Sequence, residues 1–300
     1  MNLAALVILV LKVSIILSVV AIGLKASFAD AAYLLKRPGE LLRALLSINV
    51  VMPVVALAIA LTFNLNPAVK IALVALSVSP VPPILPNRAL KAGGQENYTI
   101  GLLVTILVLS VITIPVTIEI FQEISNVPLH MSAKSIGWLA MMTVLMPVVV
   151  GIVLRILLPV IADRIAKPLG MIATILLVLG LLPVLIESFA TILSLIGDGT
   201  LLSLGIFAAL GLIVGHLLGG PDLGHRTVLA LATATRHPAI ALAIANANFP
   251  KEKRTAAAIL LYLILGFIIS TPYLFWVKRS RTVRDQAANR DSAASAANSS

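Results

Sequence analysis

Arg236 is the residue whose chemistry most needs a setting. It stands within Leu229 to Ala245, an apolar run without a carboxylate. If that run crosses a bilayer, an arginine at its middle costs at least about 2.5–3.5 kcal/mol and persists where a partner or water meets it. With no acid in its own segment, its planar fork of donors suits a carboxylate, sulfate or phosphate. The alternatives are a shorter helix from which Arg236 snorkels to the interface, or an ion pair with Glu119 or Glu187 from another segment. His237 follows directly, and imidazole titrates in the range that suits proton coupling, although a lone histidine also serves in packing. Thr233, Thr235, Asn87, Thr105, Asn246 and Asn248 add neutral oxygens that could ligate a desolvated Na⁺ or a substrate. Such side chains also join transmembrane helices to each other. Lys12 is a further cation within an apolar run.

Prolines surround these groups. Pro80, Pro82, Pro83 and Pro86 cannot share one unbroken helix, since each removes an amide donor and clashes with the preceding turn. Pro238 does the same directly after Arg236-His237. Opened backbone survives at membrane depth only where protein buries it or water lines it, so a cavity beside residues 80–88 is expected. The plainer alternative is a helix that ends near Ser79 with a re-entrant turn after it.

The elements that position these residues are membrane spans. The 300 residues are 60% hydrophobic and 11% charged, with mean hydropathy +1.08, far from a soluble domain. Continuous runs of about 20 apolar residues point to helices rather than a barrel. The pattern predicts nine spans, near residues 3–24, 40–62, 68–90, 97–121, 135–159, 168–189, 199–218, 225–248 and 254–277. The third and eighth are the proline-interrupted ones. Broken helices at corresponding positions of two halves are the layout of inverted-repeat transporters, with the substrate between them. The expected fold is therefore all-α and integral to the membrane, an inverted repeat with two broken crossing helices. A transporter domain would cover 1–277, with repeats of about 1–121 and 134–277. Residues 281–300, rich in Ala, Ser and Asn, read as a disordered tail. Loops after odd-numbered spans and the tail hold 15 Lys and Arg, and the opposite side holds 5. The expected location is the cell inner membrane, with the amino terminus outside and the carboxyl terminus cytoplasmic.

Several classes drop out. The chain has no cysteine, so thiol catalysis and thiolate metal sites are excluded. No HExxH, GxSxG, P-loop or intramembrane aspartate pair occurs, and no enzyme, metal or cofactor is expected. The net charge of +10 sits in loops and the tail, which fits topology rather than nucleic acid. The expected partners are the lipid bilayer and a small organic anion; no feature specifies an oligomer.

Phe28 to Leu85, with Arg37-Pro38, Val51-Met52-Pro53 and Asn64-Leu65-Asn66-Pro67 ahead of a proline-broken span, resembles the bile acid:sodium symporter family. So does Arg226-Thr227 followed by the second broken span and Ala239 to Phe249. The resemblance implies a panel domain, a core domain with two crossing helices, and uptake of organic anions such as bile acids, usually driven by Na⁺. This chain departs from the pattern where sodium would bind. Pro86-Asn87 replaces the family's Ser-Asn, Ala232 falls at its sodium-ligating Glu, and Arg236-His237 fall at its Gln-Asn. Two sodium ions beside an arginine without an acid would be repelled, so the usual sodium pair is not expected. Transport of an organic anion without that pair is the expected function. A non-transporting sensor or scaffold on the same fold is the alternative.

Overall fold

The computed structural model describes residues 3–26, 29, 32–82, 84–125, 137–138, 141–197, 199–248 and 253–298. Pro83 and the start of the expected second repeat, 134–136, lie outside the described residues. Among the described residues the regular structure is entirely helical. Among the described residues seven helices are long and apolar enough to cross a membrane: α1 (Leu3–Lys25), α2 (Pro38–Thr62), α5 (Glu96–Ser125), α7 (Pro159–Ser194), α8 (Thr200–Leu218), the span Leu223–Asn246, and α11 (Lys253–Asn298). Two shorter apolar helices, α3 (Pro67–Val78) and α6 (Met141–Leu157), accompany them.

The two expected interruptions are present. The third predicted span is α3, a break, and α4 (Leu85–Lys91). The eighth is α9 (Leu223–Ala234), a break, and α10 (Pro238–Asn248).

Proline accounts for two further departures from α geometry. A π-helical turn occupies Leu46–Val51 in α2 ahead of Met52-Pro53, and another occupies Met141–Leu145 in α6 ahead of Met146-Pro147. A proline within a helix has no N–H for the carbonyl one turn back, and a π turn is one local rearrangement around the missing bond.

The helices sort into two groups. α1 packs chiefly on α6 and α7, and Ser14 donates a 3.0 Å hydrogen bond to the Ala173 carbonyl of α7. α2, α3, α5 and α8 to α11 pack among themselves around the large hydrophobic core. An apolar window of the α9–α10 span is 83% buried, against 11% for α7. The broken helix is thus surrounded by protein, whereas α7 turns most of its surface outward.

Two boundaries differ from expectation. A loop was expected over residues 160–167, yet α7 begins at Pro159, directly after α6. Proline at the first helical position lacks only a donor that no carbonyl was waiting for. The expected disordered tail continues α11 as helix through Asn298. Its alanine content favours helix, and a helix already nucleated by the preceding span extends at little cost.

Candidate functional site

The first break follows from its residues. α3 starts on Asn66, whose side chain accepts the Ala68 N–H at 2.9 Å, and it stops because Pro80 and Pro82 cannot donate to the preceding turn. Ser79 takes up extended backbone, and its hydroxyl donates to the Leu76 carbonyl at 3.0 Å. Pro86 lies in the first turn of α4, where its missing N–H leaves no helical carbonyl short.

The second break is built the same way. The Asp222 side chain caps α9 by accepting the His225 N–H at 2.8 Å. α9 ends at Ala234, and Thr235 turns extended while its hydroxyl donates back to the Leu231 carbonyl at 2.6 Å. Pro238 opens α10, and a residue before proline is pushed out of the α region, so the helix cannot run through His237. The carbonyl of Ala234, left over at the end of α9, accepts the buried Tyr262 hydroxyl of α11 at 2.5 Å.

The breaks meet. The main-chain N–H of His237 donates to the carbonyl of Pro80 at 2.9 Å, one opened backbone satisfying the other. α3 packs on α10 and α4 packs on α9, so the two broken helices cross at their interruptions.

Arg236 joins a third element to this crossing. Its Nη1 donates to the Ser79 carbonyl and its Nη2 to the Ile48 carbonyl, each at 3.3 Å. Ile48 lies in the π turn of α2, where a carbonyl faces the residue five positions on. That residue is Pro53, which has no N–H. The guanidinium supplies the donor that proline withholds. Next to it, the Ser47 and Thr233 hydroxyls share a 2.7 Å hydrogen bond that again ties α2 to α9.

Arg236 is 1% exposed. Its Nε has no hydrogen-bond partner, and among the described residues no carboxylate lies within 4 Å of it. Neither ion-pair candidate meets it: Glu187 pairs with Lys253 at 2.7 Å, and Glu119 is exposed. The crossing therefore holds a guanidinium that meets two main-chain carbonyl oxygens.

The other sequence candidates divide. Thr233 and Thr235 belong to the crossing. His237 is 1% exposed and both its ring nitrogens lack partners, so its main chain rather than its imidazole makes the contact with the first break. Thr105, on α5, is 5% exposed with an unpartnered hydroxyl. Pro82 and Pro238 are buried at the breaks. Asn87 and Asn246 are exposed on α4 and α10, Asn248 lies in α10, and Lys12 is exposed on α1. Sequence reasoning missed Ile48, Ser47 and Tyr262. Met52-Pro53 was the available signal, because a proline one turn past a helical carbonyl marks an acceptor in need of a donor.

A model of the Sodium Bile acid symporter family matches residues 12–195, more than half of the chain. The match covers most of α1 and runs through α7, taking in the first broken helix, and ends before the second one and Arg236. No curated protein matches the chain.

Proposed function

The chain belongs to the sodium bile acid symporter family, and from that premise we propose a secondary transporter that moves a small organic anion by alternating access without the usual pair of sodium ions. Membership makes it a multi-pass membrane transporter, in a family of transporters of bile acids and organic anions rather than of enzymes. The finer reading takes nine spans in two inverted repeats, with the amino terminus outside the inner membrane. Its cargo is a carboxylate, a sulfate or a bile-acid-like anion.

The observation that carries this reading is the guanidinium of Arg236 at the crossing, held by the carbonyls of Ser79 and Ile48 with no acid among the described residues within 4 Å. Main-chain oxygens are what an oxygen-liganded cation would otherwise use. A permanent positive charge in a buried site repels a second cation and lowers the energy of an anion brought near the crossing. Thr105, Thr233, Thr235 and Asn87 are the neutral groups proposed to assist, with His237 beside them.

The test is uptake of a carboxylate panel into proteoliposomes with and without an inward Na⁺ gradient. The reading expects counterflow that is indifferent to Na⁺, and uptake that rises with the Na⁺ gradient would refute the sodium-free part. The sealed state of Arg236 and His237 also favours a second reading, a non-transporting sensor or scaffold. That reading expects ligand-stabilised melting with no counterflow.

A further inference from the structure

Arg88 is a second arginine in a broken span, and its setting is the reverse of that of Arg236. It is half-buried on α4, and its Nη2 donates to the Ser270 hydroxyl of α11 at 2.6 Å. Its Cζ stands 4.9 Å from the centroid of the Phe267 ring, within reach of a cation–π contact. That ring is 63% exposed on a helix that crosses the membrane. Ile84, one turn before Arg88, and Ile264, three residues before Phe267, are exposed as well. The guanidinium therefore rests on a surface turned to lipid, outside the core in which Arg236 is sealed.

Its level along α11 decides what can reach it. Ser270 precedes Tyr273 by about 4.5 Å of helix and the exposed Trp276 by about 9 Å. Tyrosine and tryptophan gather where membrane meets water, which puts the guanidinium just inside the hydrocarbon boundary. α4 ends beside Arg281, whose guanidinium occupies the space a Cβ on Gly93 would need, so α4 and α11 run toward the same end of the bundle. Two exposed lysines lie further toward that end: Lys91, three residues past Arg88 and on its face of α4, and Lys278, about two turns past Ser270.

Ser270 occupies one of the five guanidinium donors. Among the described residues Arg88, Lys91 and Lys278 have no carboxylate within 4 Å. An arginine at the edge of the hydrocarbon is relieved by local thinning that brings headgroups and water to it, and its planar fork matches two phosphate oxygens.

We propose that the seam between α4 and α11 binds an anionic phospholipid, with Arg88 holding the phosphodiester, Ser270 fixing the arginine side chain, and Ile84 and Phe267 lying along the acyl chains. Charge complementarity selects this occupant. Three cations without an acid are answered by a headgroup of net negative charge, whereas a zwitterionic headgroup brings a competing cation of its own. A free phosphate would satisfy Arg88 but would leave the apolar walls without acyl chains. α4 packs on α9, and the Tyr262 hydroxyl of α11 holds the carbonyl at the end of α9, so a lipid joining α4 to α11 braces an arm of each broken helix. The site stands on the membrane spans and is independent of the cargo proposed above.

The experiment titrates the purified full-length chain in neutral detergent with phosphatidylglycerol, phosphatidylcholine or water-soluble glycerol phosphate, reading Tm and, by native mass spectrometry, the lipid retained. Phosphatidylglycerol is expected to raise the wild-type Tm by about 5 °C near saturation, phosphatidylcholine by clearly less, and glycerol phosphate not at all. Arg88→Gln is expected to bind phosphatidylglycerol at least about fivefold more weakly. Lys91→Gln combined with Lys278→Gln changes only exposed side chains and carries the test if Arg88→Gln fails to fold; it is expected to weaken binding by a similar factor. Unchanged affinity in Arg88→Gln or in the double lysine variant overturns the proposal. Equal stabilisation by phosphatidylcholine overturns the selection for negative charge, and a shift reproduced by glycerol phosphate assigns the site to a free phosphate and overturns the lipid.

Discussion

Replacing Arg236 with methionine, lysine and alanine separates what its charge does from what its bulk does. Two hydrogen bonds from a charged donor are lost in the methionine variant, each worth about 1.5–3 kcal/mol at ordinary length. Here both are 3.3 Å, beyond the usual range, so the low end applies. Against that loss stands the several kcal/mol spent on keeping a guanidinium out of water, which methionine does not incur. The two nearly offset, and Arg236→Met is expected to unfold within about 2 kcal/mol of wild type. Alanine also leaves a cavity, adding about 2–5 kcal/mol of destabilisation. Lysine keeps the charge but has no fork to span both carbonyls, and it is expected to lose about 1.5 kcal/mol. Transport should follow charge rather than stability. Methionine is expected to weaken carboxylate counterflow at least tenfold, about 1.4 kcal/mol, with lysine retaining more activity than methionine despite melting lower. Thermal melting beside counterflow of the same preparations makes the comparison. An Arg236→Met protein that melts like wild type and exchanges carboxylate at the wild-type rate would refute the role given to the guanidinium.

The two breaks were legible because proline enforces its own consequence. Pro80 to Pro86 had to open one helix and Arg236-His237-Pro238 another, and the two openings meet where the His237 N–H donates to the Pro80 carbonyl. The partners of Arg236 were not legible, since they are main-chain carbonyls and every residue has one. Only the coincidence of a π turn with Pro53 leaves the Ile48 carbonyl in need of a donor. The contact of Arg88 with Ser270 was hidden for a related reason, because residues far apart in sequence come together only once α4 and α11 stand side by side. At the tail polarity reads as disorder and alanine content reads as helix, and α11 runs through Asn298. Asn87 is picked out by its type and its place in the proline-rich segment, and it stands exposed on α4, past the break.

Two further substitutions probe how the crossing is held. Tyr262→Phe removes the hydroxyl that meets the Ala234 carbonyl at 2.5 Å, and it is expected to lower stability by about 1–3 kcal/mol in a melting assay, because that carbonyl is left buried and unpaired. Gly211→Val tests the packing of α8 against α9. A Cβ on Gly211 would lie 2.8 Å from Ala234 Cα and 3.1 Å from the Thr233 carbonyl, and backbone atoms cannot step aside as a flexible side chain would. Overpacking of this kind costs about 1–3 kcal/mol, and here the displacement falls on the last turn of α9, next to Arg236. The valine variant is therefore expected to lose counterflow more severely than Tyr262→Phe at equal loss of Tm, and equal flux in the two variants would mean that the spacing of α8 and α9 does not set the position of the guanidinium.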